Sequence, residues 1–116
     1  MTYIMQLHKE PFELVKNGYK TVELRLNDEK RRRIVPGDCI TFLNRSDSSE
    51  SLTVRVVALH SFESFESLYQ TLPLEKCGYL PDEIATASAH DMDIYYTAEE
   101  QERYGAVGIE FELIHA

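Results

Sequence analysis

The densest set of reactive side chains in the sequence is Lys20, Thr21, Glu23, Arg25, Asp28, Lys30 and Arg31. Val22, Leu24 and Leu26 alternate with Thr21, Glu23 and Arg25, so a strand here puts Thr21, Glu23 and Arg25 on one polar face. On such a face Glu23 pairs with Arg25, or with Lys20 across a cleft, and the pair offers acceptors and donors together to an amide or a base edge. The plainer reading is a solvated strand whose ion pairs contribute less than about 1 kcal/mol each.

Lys30, Arg31, Arg32 and Arg33 follow one another directly, which suits phosphate oxygens because Arg grips them in bidentate fashion. An ordinary solvated loop has the same look. Tyr95 and Tyr96, with Tyr79 in a loop, offer ring faces for stacking a base, unless they are half-buried at the border of an element. His90, Asp91 and Asp93 are neighbours, but His8, His60 and His115 fall on other elements and no HxH or HExxH spacing occurs, so no metal is expected. GxSxG, SxxK, P-loop and GxGxxG patterns are absent, which removes the hydrolase and nucleotide-cofactor templates built on them. No cofactor is implied.

The elements that must position these groups are legible in outline. Tyr3 to His8 reads as a first strand, and Pro11, at the first helical position, opens a short helix through Phe12, Leu14 and Val15 that Asn17-Gly18 stops. After the Thr21–Leu26 strand, Asn27-Asp28-Glu29 breaks the alternation, and Pro36-Gly37-Asp38 marks a turn into a strand over Cys39 to Leu43. Asn44 to Ser51 reads as a polar, hairpin-like connection, and Leu52 to His60 as a strand rich in β-branched residues. Ser61 or Ser64 caps a helix carrying Phe62, Phe65, Leu68, Tyr69 and Leu72, and a second covering helix is predicted from Pro81 through Ile84, Ala85, Ala87 and Ala89. Thr97-Ala98-Glu99-Glu100 is a capping box for a short helix leaving at Gly105, and Val107 to Leu113 alternates as a closing strand. About five strands with short helices predict an α+β chain: a small, largely antiparallel barrel flanked by helices.

Length and composition agree with a single domain over 1–116, since 116 residues with 43% hydrophobic content fill one core. Apolar runs of four residues or fewer predict neither a membrane span nor a secretory leader, and two cysteines far apart, Cys39 and Cys77, predict reduced thiols in a cytoplasmic protein. The formal charge of −8 is segregated: residues 1–58 carry ten Lys and Arg against eight Asp and Glu, residues 59–116 two against twelve. A local basic site can hold a short anionic ligand in such a chain, whereas long duplex DNA is disfavoured.

The residues Pro11-Phe12 and Val15-Lys16-Asn17-Gly18-Tyr19-Lys20-Thr21-Val22-Glu23-Leu24-Arg25-Leu26-Asn27-Asp28, then Pro36-Gly37-Asp38-Cys39-Ile40-Thr41-Phe42, resemble the ASCH (activating signal cointegrator homology) domain family of the PUA-like superfamily. The close, Tyr95 to Glu100 and Tyr104 to Ile109, is similar to that family's as well. The resemblance implies a PUA-like β-barrel with helices over its openings, a cleft beside the Lys-Thr-x-Glu-x-Arg strand, and an RNA- or nucleotide-binding role. A bacterial branch of that family removes the acetyl group of N4-acetylcytidine with a lysine, a threonine and a glutamate. Lys20 falls at the lysine, Glu23 stands where the threonine nucleophile belongs, and Glu75 or Glu83 falls near the downstream glutamate. A carboxylate cannot act as that acyl-accepting hydroxyl.

Three functions are therefore carried forward. In the first, a cleft lined by Lys20, Thr21, Glu23, Arg25 and Asp28, with Lys30 and Arg31 at a phosphate-facing rim and Tyr96 stacking, holds RNA or a small nucleotide. In the second, Lys20 and Glu23 are catalytic in an amidohydrolase acting on a modified nucleoside. In the third, the acidic half is a protein-interaction surface.

Overall fold

In the computed structural model, which describes residues 1–115, the strands are β1 (Thr2–Leu7), β2 (Val22–Leu26), β3 (Cys39–Asn44), β4 (Asp47–Phe62) and β5 (Ala106–His115). The helices are α1 (Lys9–Lys16), α2 (Phe65–Thr71) and α3 (Ala98–Tyr104), and the remaining helical pieces are 3-10 turns. All five strands form one sheet in the order β1-β3-β4-β5-β2, antiparallel except for β1 beside β3. A parallel neighbour needs a crossover connection, and α1, β2 and the basic turn over Arg31–Arg33 supply it.

The sheet curls because β4 is long and bulged. Its register with β5 slips between Val56 and Ala58, leaving Val57 over, and again between Thr53 and Val54. Each bulge bends the strand and sharpens its twist. The two edge strands are thereby brought within side-chain reach: Nη2 of Arg25 on β2 donates to the carbonyl oxygen of Gln6 on β1 at 3.1 Å. The architecture is the expected α+β one, a five-stranded half-barrel with short helices around it.

Met5, Ile40, Phe42, Val54, Val56, Ile109 and Phe111 fill the inside of the curl, and Phe12 and Val15 of α1 plug one end. A second cluster places Phe65 and Leu68 of α2 against Leu26, Met92 and Ala106. Both helices are held by apolar burial worth about 1.5–3 kcal/mol per large side chain rather than by intrinsic propensity.

Several local expectations are corrected. Helix α1 begins at Lys9, so Pro11 is its third residue, still in the first turn where a missing N–H costs nothing. Ser64 caps α2, its hydroxyl accepting from the Ser67 N–H, whereas Ser61 still belongs to β4. The polar stretch after Asn44 is no loose connection: Arg45 and Ser46 make a tight turn and β4 resumes at Asp47. Buried Asn44 sets that turn, its side-chain oxygen accepting from the Ser46 N–H at 2.9 Å. The covering helix predicted from Pro81 is absent. Ile84–Thr86 and Ala89–Ile94 are separate 3-10 turns, because Ser88 is extended and caps the second of them in a capping box with Asp91. An N-cap residue cannot also be helical interior, so it divides the alanine-rich stretch in two.

Candidate functional site

Lys20 lies in the bend between α1 and β2, where its N–H donates to the Leu14 carbonyl and the next N–H, of Thr21, donates to the Lys76 carbonyl. The bend frees Lys20 from strand parity. Its side chain joins Glu23 although the two are three residues apart, and the Lys20 Nζ–Glu23 Oε1 distance is 2.6 Å. Glu23 and Arg25 share a face of β2, as the alternation predicts, and Arg25 Nε donates to the other carboxylate oxygen at 2.7 Å. One carboxylate is thus held by two cations, and Lys20 and Glu23 are buried. Gly78, at φ +106, lets the chain pass over Lys20; a Cβ there would stand 3.1 Å from the lysine Cδ.

Burial by itself drives the Glu23 carboxyl up, but the charges of Lys20 and Arg25 and their hydrogen bonds outweigh it and hold the group below the usual carboxylate range. Burial likewise opposes the charge on Arg25, and the Glu23 carboxylate more than restores it. The triad carries one net positive charge, with both Glu23 oxygens already occupied.

The triad opens into a cleft of about 850 Å³ whose walls include β1, α1, β2 and the 3-10 segment after Cys77. Tyr96 stands near Arg25 and stacks on Phe65, ring centroids 6.0 Å apart, and Tyr95 is exposed beside it at the mouth. In the cleft wall the Tyr79 hydroxyl donates to Asp91 Oδ2 at 2.7 Å and accepts from Tyr69, also at 2.7 Å. Burial raises both phenols above their ordinary value, Tyr69 to about 12, so both are neutral donors at any physiological pH. Cys77 lines the cleft as well, its thiol pushed up to about 11 by burial.

Of the residues singled out in sequence, Lys20, Glu23, Arg25, Tyr79, Glu83, His90, Asp91, Tyr95 and Tyr96 line this cleft. Thr21, Asp28, Lys30 and Arg31 are not among its lining residues. Thr21 contributes backbone, its carbonyl accepting from the Phe111 N–H at 2.9 Å. Asp28 binds Arg31, Oδ2 to Nη1 at 2.9 Å, and Lys30 is exposed on the same turn. His90 and Asp93 pair with each other at 3.0 Å, while Asp91 turns to Tyr79.

Tyr69, Arg45 and the Gln6 carbonyl were not evident in sequence as parts of the site. Tyr69 belongs to an apolar stripe and Gln6 acts through its backbone, so neither carries a local signal; Arg45, in the turn of a hairpin, carries only its charge. The acidic half does reach the site. Lys20, Arg25 and Arg45 face Glu10, Glu23, Glu83 and Asp91 there, and of the two glutamates considered downstream Glu83 lines the cleft while Glu75 does not.

The chain's relatives fit this architecture. The crystal structure of the hypothetical protein PH0355 is 34% identical, with 98% of this chain and all of that one covered and a TM-score of 0.80. The solution structure of protein PF0455 from Pyrococcus furiosus is 35% identical over the whole of both chains, with a TM-score of 0.73. An ASCH domain from Lactobacillus crispatus shares the fold at 11% identity, covering 98% of this chain and 81% of that one with a TM-score of 0.62. No curated protein matches the sequence. The ASCH domain model matches residues 5–115, and the chain therefore belongs to the ASCH domain family.

Proposed function

We propose that the cleft binds a single nucleobase, presented by a nucleoside, a nucleotide or a short single-stranded RNA. The observation that carries this reading is the buried carboxylate of Glu23 gripped by Lys20 and Arg25 at the floor of a cleft with Tyr95 and Tyr96 at its side. A triad already bonded before a ligand arrives is preorganised: the remaining N–H groups of Lys20 and Arg25 are the donors offered to a base carbonyl or ring nitrogen. Tyr96, backed by Phe65, supplies a rigid face for stacking. Asp91 gives the opposite polarity, an acceptor for an exocyclic amino group.

Three cations against four carboxylates make the cleft a poor trap for a polyphosphate, so the base rather than the phosphate carries recognition. The test is a binding screen of the four ribonucleosides and short RNA oligomers against the wild type, Lys20→Ala and Arg25→Gln, with thermal melting as the folding control. Binding by the wild type that falls at least tenfold in both folded variants supports the reading; binding unchanged in both sinks it.

A second reading, hydrolysis of an amide on a modified nucleoside, draws on the presence of Lys20 and Glu83 in one cleft. No Ser or Thr is among the lining residues, and the Cys77 thiol is protonated, so water is the nucleophile such an enzyme requires here. Lys20-dependent release of acetate from N4-acetylcytidine is the result that would favour it.

A further inference from the structure

Beyond the cleft a second depression of about 860 Å³ is lined by Asn27, Arg32, Phe62, Ser64, Gln101 and Arg103, among others. It adjoins the cleft along two routes. Strand β2 carries Arg25 in the cleft, and Asn27, just past its end, lines the depression, a span of about 7 Å along extended chain. Gln101, in the depression, donates through Nε2 to the carbonyl of Tyr96, which lines the cleft. The close packing beneath is fixed by Gly105, where a Cβ would stand 2.5 Å from the Phe62 carbonyl oxygen.

The two halves of the chain contribute one arginine each. Arg32 comes from the basic turn and is aimed by Nε donating to the Asn27 carbonyl at 2.8 Å. Arg103 is one of only two cations between residues 59 and 116. Its guanidinium lies 5.1 Å from the centroid of the Tyr104 ring and makes no hydrogen bond or ion pair among the described residues. Both side chains are exposed and keep donors available for an anion. Glu63 and Glu102 also line the depression, so it offers two discrete guanidinium contacts and not a broad positive field.

Building on the cleft reading, we propose that a single-stranded RNA whose base enters the cleft continues across this depression, its flanking phosphodiester held by Arg32 and Arg103. The order Arg25–Tyr96–Gln101–Arg103 is the path of the strand. Spacing the phosphate contacts away from the cleft resolves a conflict: the base site is balanced toward negative charge, yet an RNA ligand must bring phosphates.

The test compares the ribonucleoside that binds best with a pentanucleotide carrying it centrally between uridines, each titrated against wild type and the Arg32→Ala, Arg103→Ala double variant at several salt concentrations. We expect the wild type to bind the pentamer at least tenfold tighter than the nucleoside, and the double variant to lose that gain while binding the nucleoside as before. Each lost phosphate contact should also flatten the slope of log K on log salt by about 0.7. A pentamer that binds no tighter than the nucleoside, or a gain that survives in the double variant, overturns this path and leaves the cleft reading standing. Failure of both nucleoside and pentamer to bind overturns both.

Discussion

Glu23 decides more than any other single residue. Its carboxylate is the shared partner of two buried or half-buried cations, so removing its charge leaves Lys20 and Arg25 facing each other without compensation. Breaking a buried pair in this one-sided way costs about 3–5 kcal/mol. Glu23→Gln, nearly isosteric, is therefore expected to destabilise the domain by about 3 kcal/mol, read as a fall in melting temperature on the order of 10–20 °C. The pH dependence has a definite sign. The folded carboxyl titrates below its ordinary value of 4.5, so its contribution is complete above that value and is lost as pH falls below it and through the folded pKa. Melting curves of wild type and Glu23→Gln should accordingly converge below about pH 4.5 and stand furthest apart near neutrality. A constant gap across that range would mean that the side chain acts by shape alone. Cys77 gives a second residue-scale expectation: with its thiol raised to about 11, the folded protein should alkylate there far more slowly at pH 8 than the unfolded chain does.

At the scale of elements, the sequence was readable wherever a signal was local. The alternation of Val22, Leu24 and Leu26 and the Thr97 capping box both correspond to elements found, β2 and α3. What escaped has two causes. The Ser88–Asp91 box has the spacing of the Thr97 one but sits inside an alanine-rich run whose helical pattern masks it, and the Tyr69–Tyr79–Asp91 chain joins α2, a loop and a 3-10 turn with no shared period. Strand parity groups Thr21 with Glu23, yet Thr21 lies at the bend before β2 and contributes backbone bonds. The exit of α3 offers a direct check. Gly105 sits at φ +72 with the Phe62 carbonyl in the place of a Cβ, so Gly105→Ala combines strain with a clash. It should destabilise by several kcal/mol, whereas Thr97→Ala, which removes only the cap, should cost about 1 kcal/mol. Equal effects in denaturant melts would show that the close approach at Gly105 is easily relieved.

For the molecule as a whole, the division of charge along the chain is partly undone by folding. The acidic half sends Glu83 and Asp91 into the same cleft that Lys20 and Arg25 reach from the basic half. Sequence could report the division but not this meeting, because Asp91 is drawn in by the Tyr79 hydroxyl and no periodic signal marks where the locally bonded turn that carries Glu83 will lie. The consequence for ligands is quantitative in direction. Added phosphates bring charge to a site whose carboxylates outnumber its cations, so a nucleoside triphosphate should bind no tighter than its nucleoside, and weaker as salt is lowered and screening fades. Calorimetric titration of both at two ionic strengths decides the matter. A triphosphate that binds tenfold tighter, and more so at low salt, would mean that Lys20, Arg25 and Arg45 act together as a phosphate clamp, and that the acidic walls are screened or turned away when the ligand arrives. In that event Glu83→Gln should leave the affinity untouched. If the walls do set the preference, the same substitution should shift it toward the phosphorylated ligand.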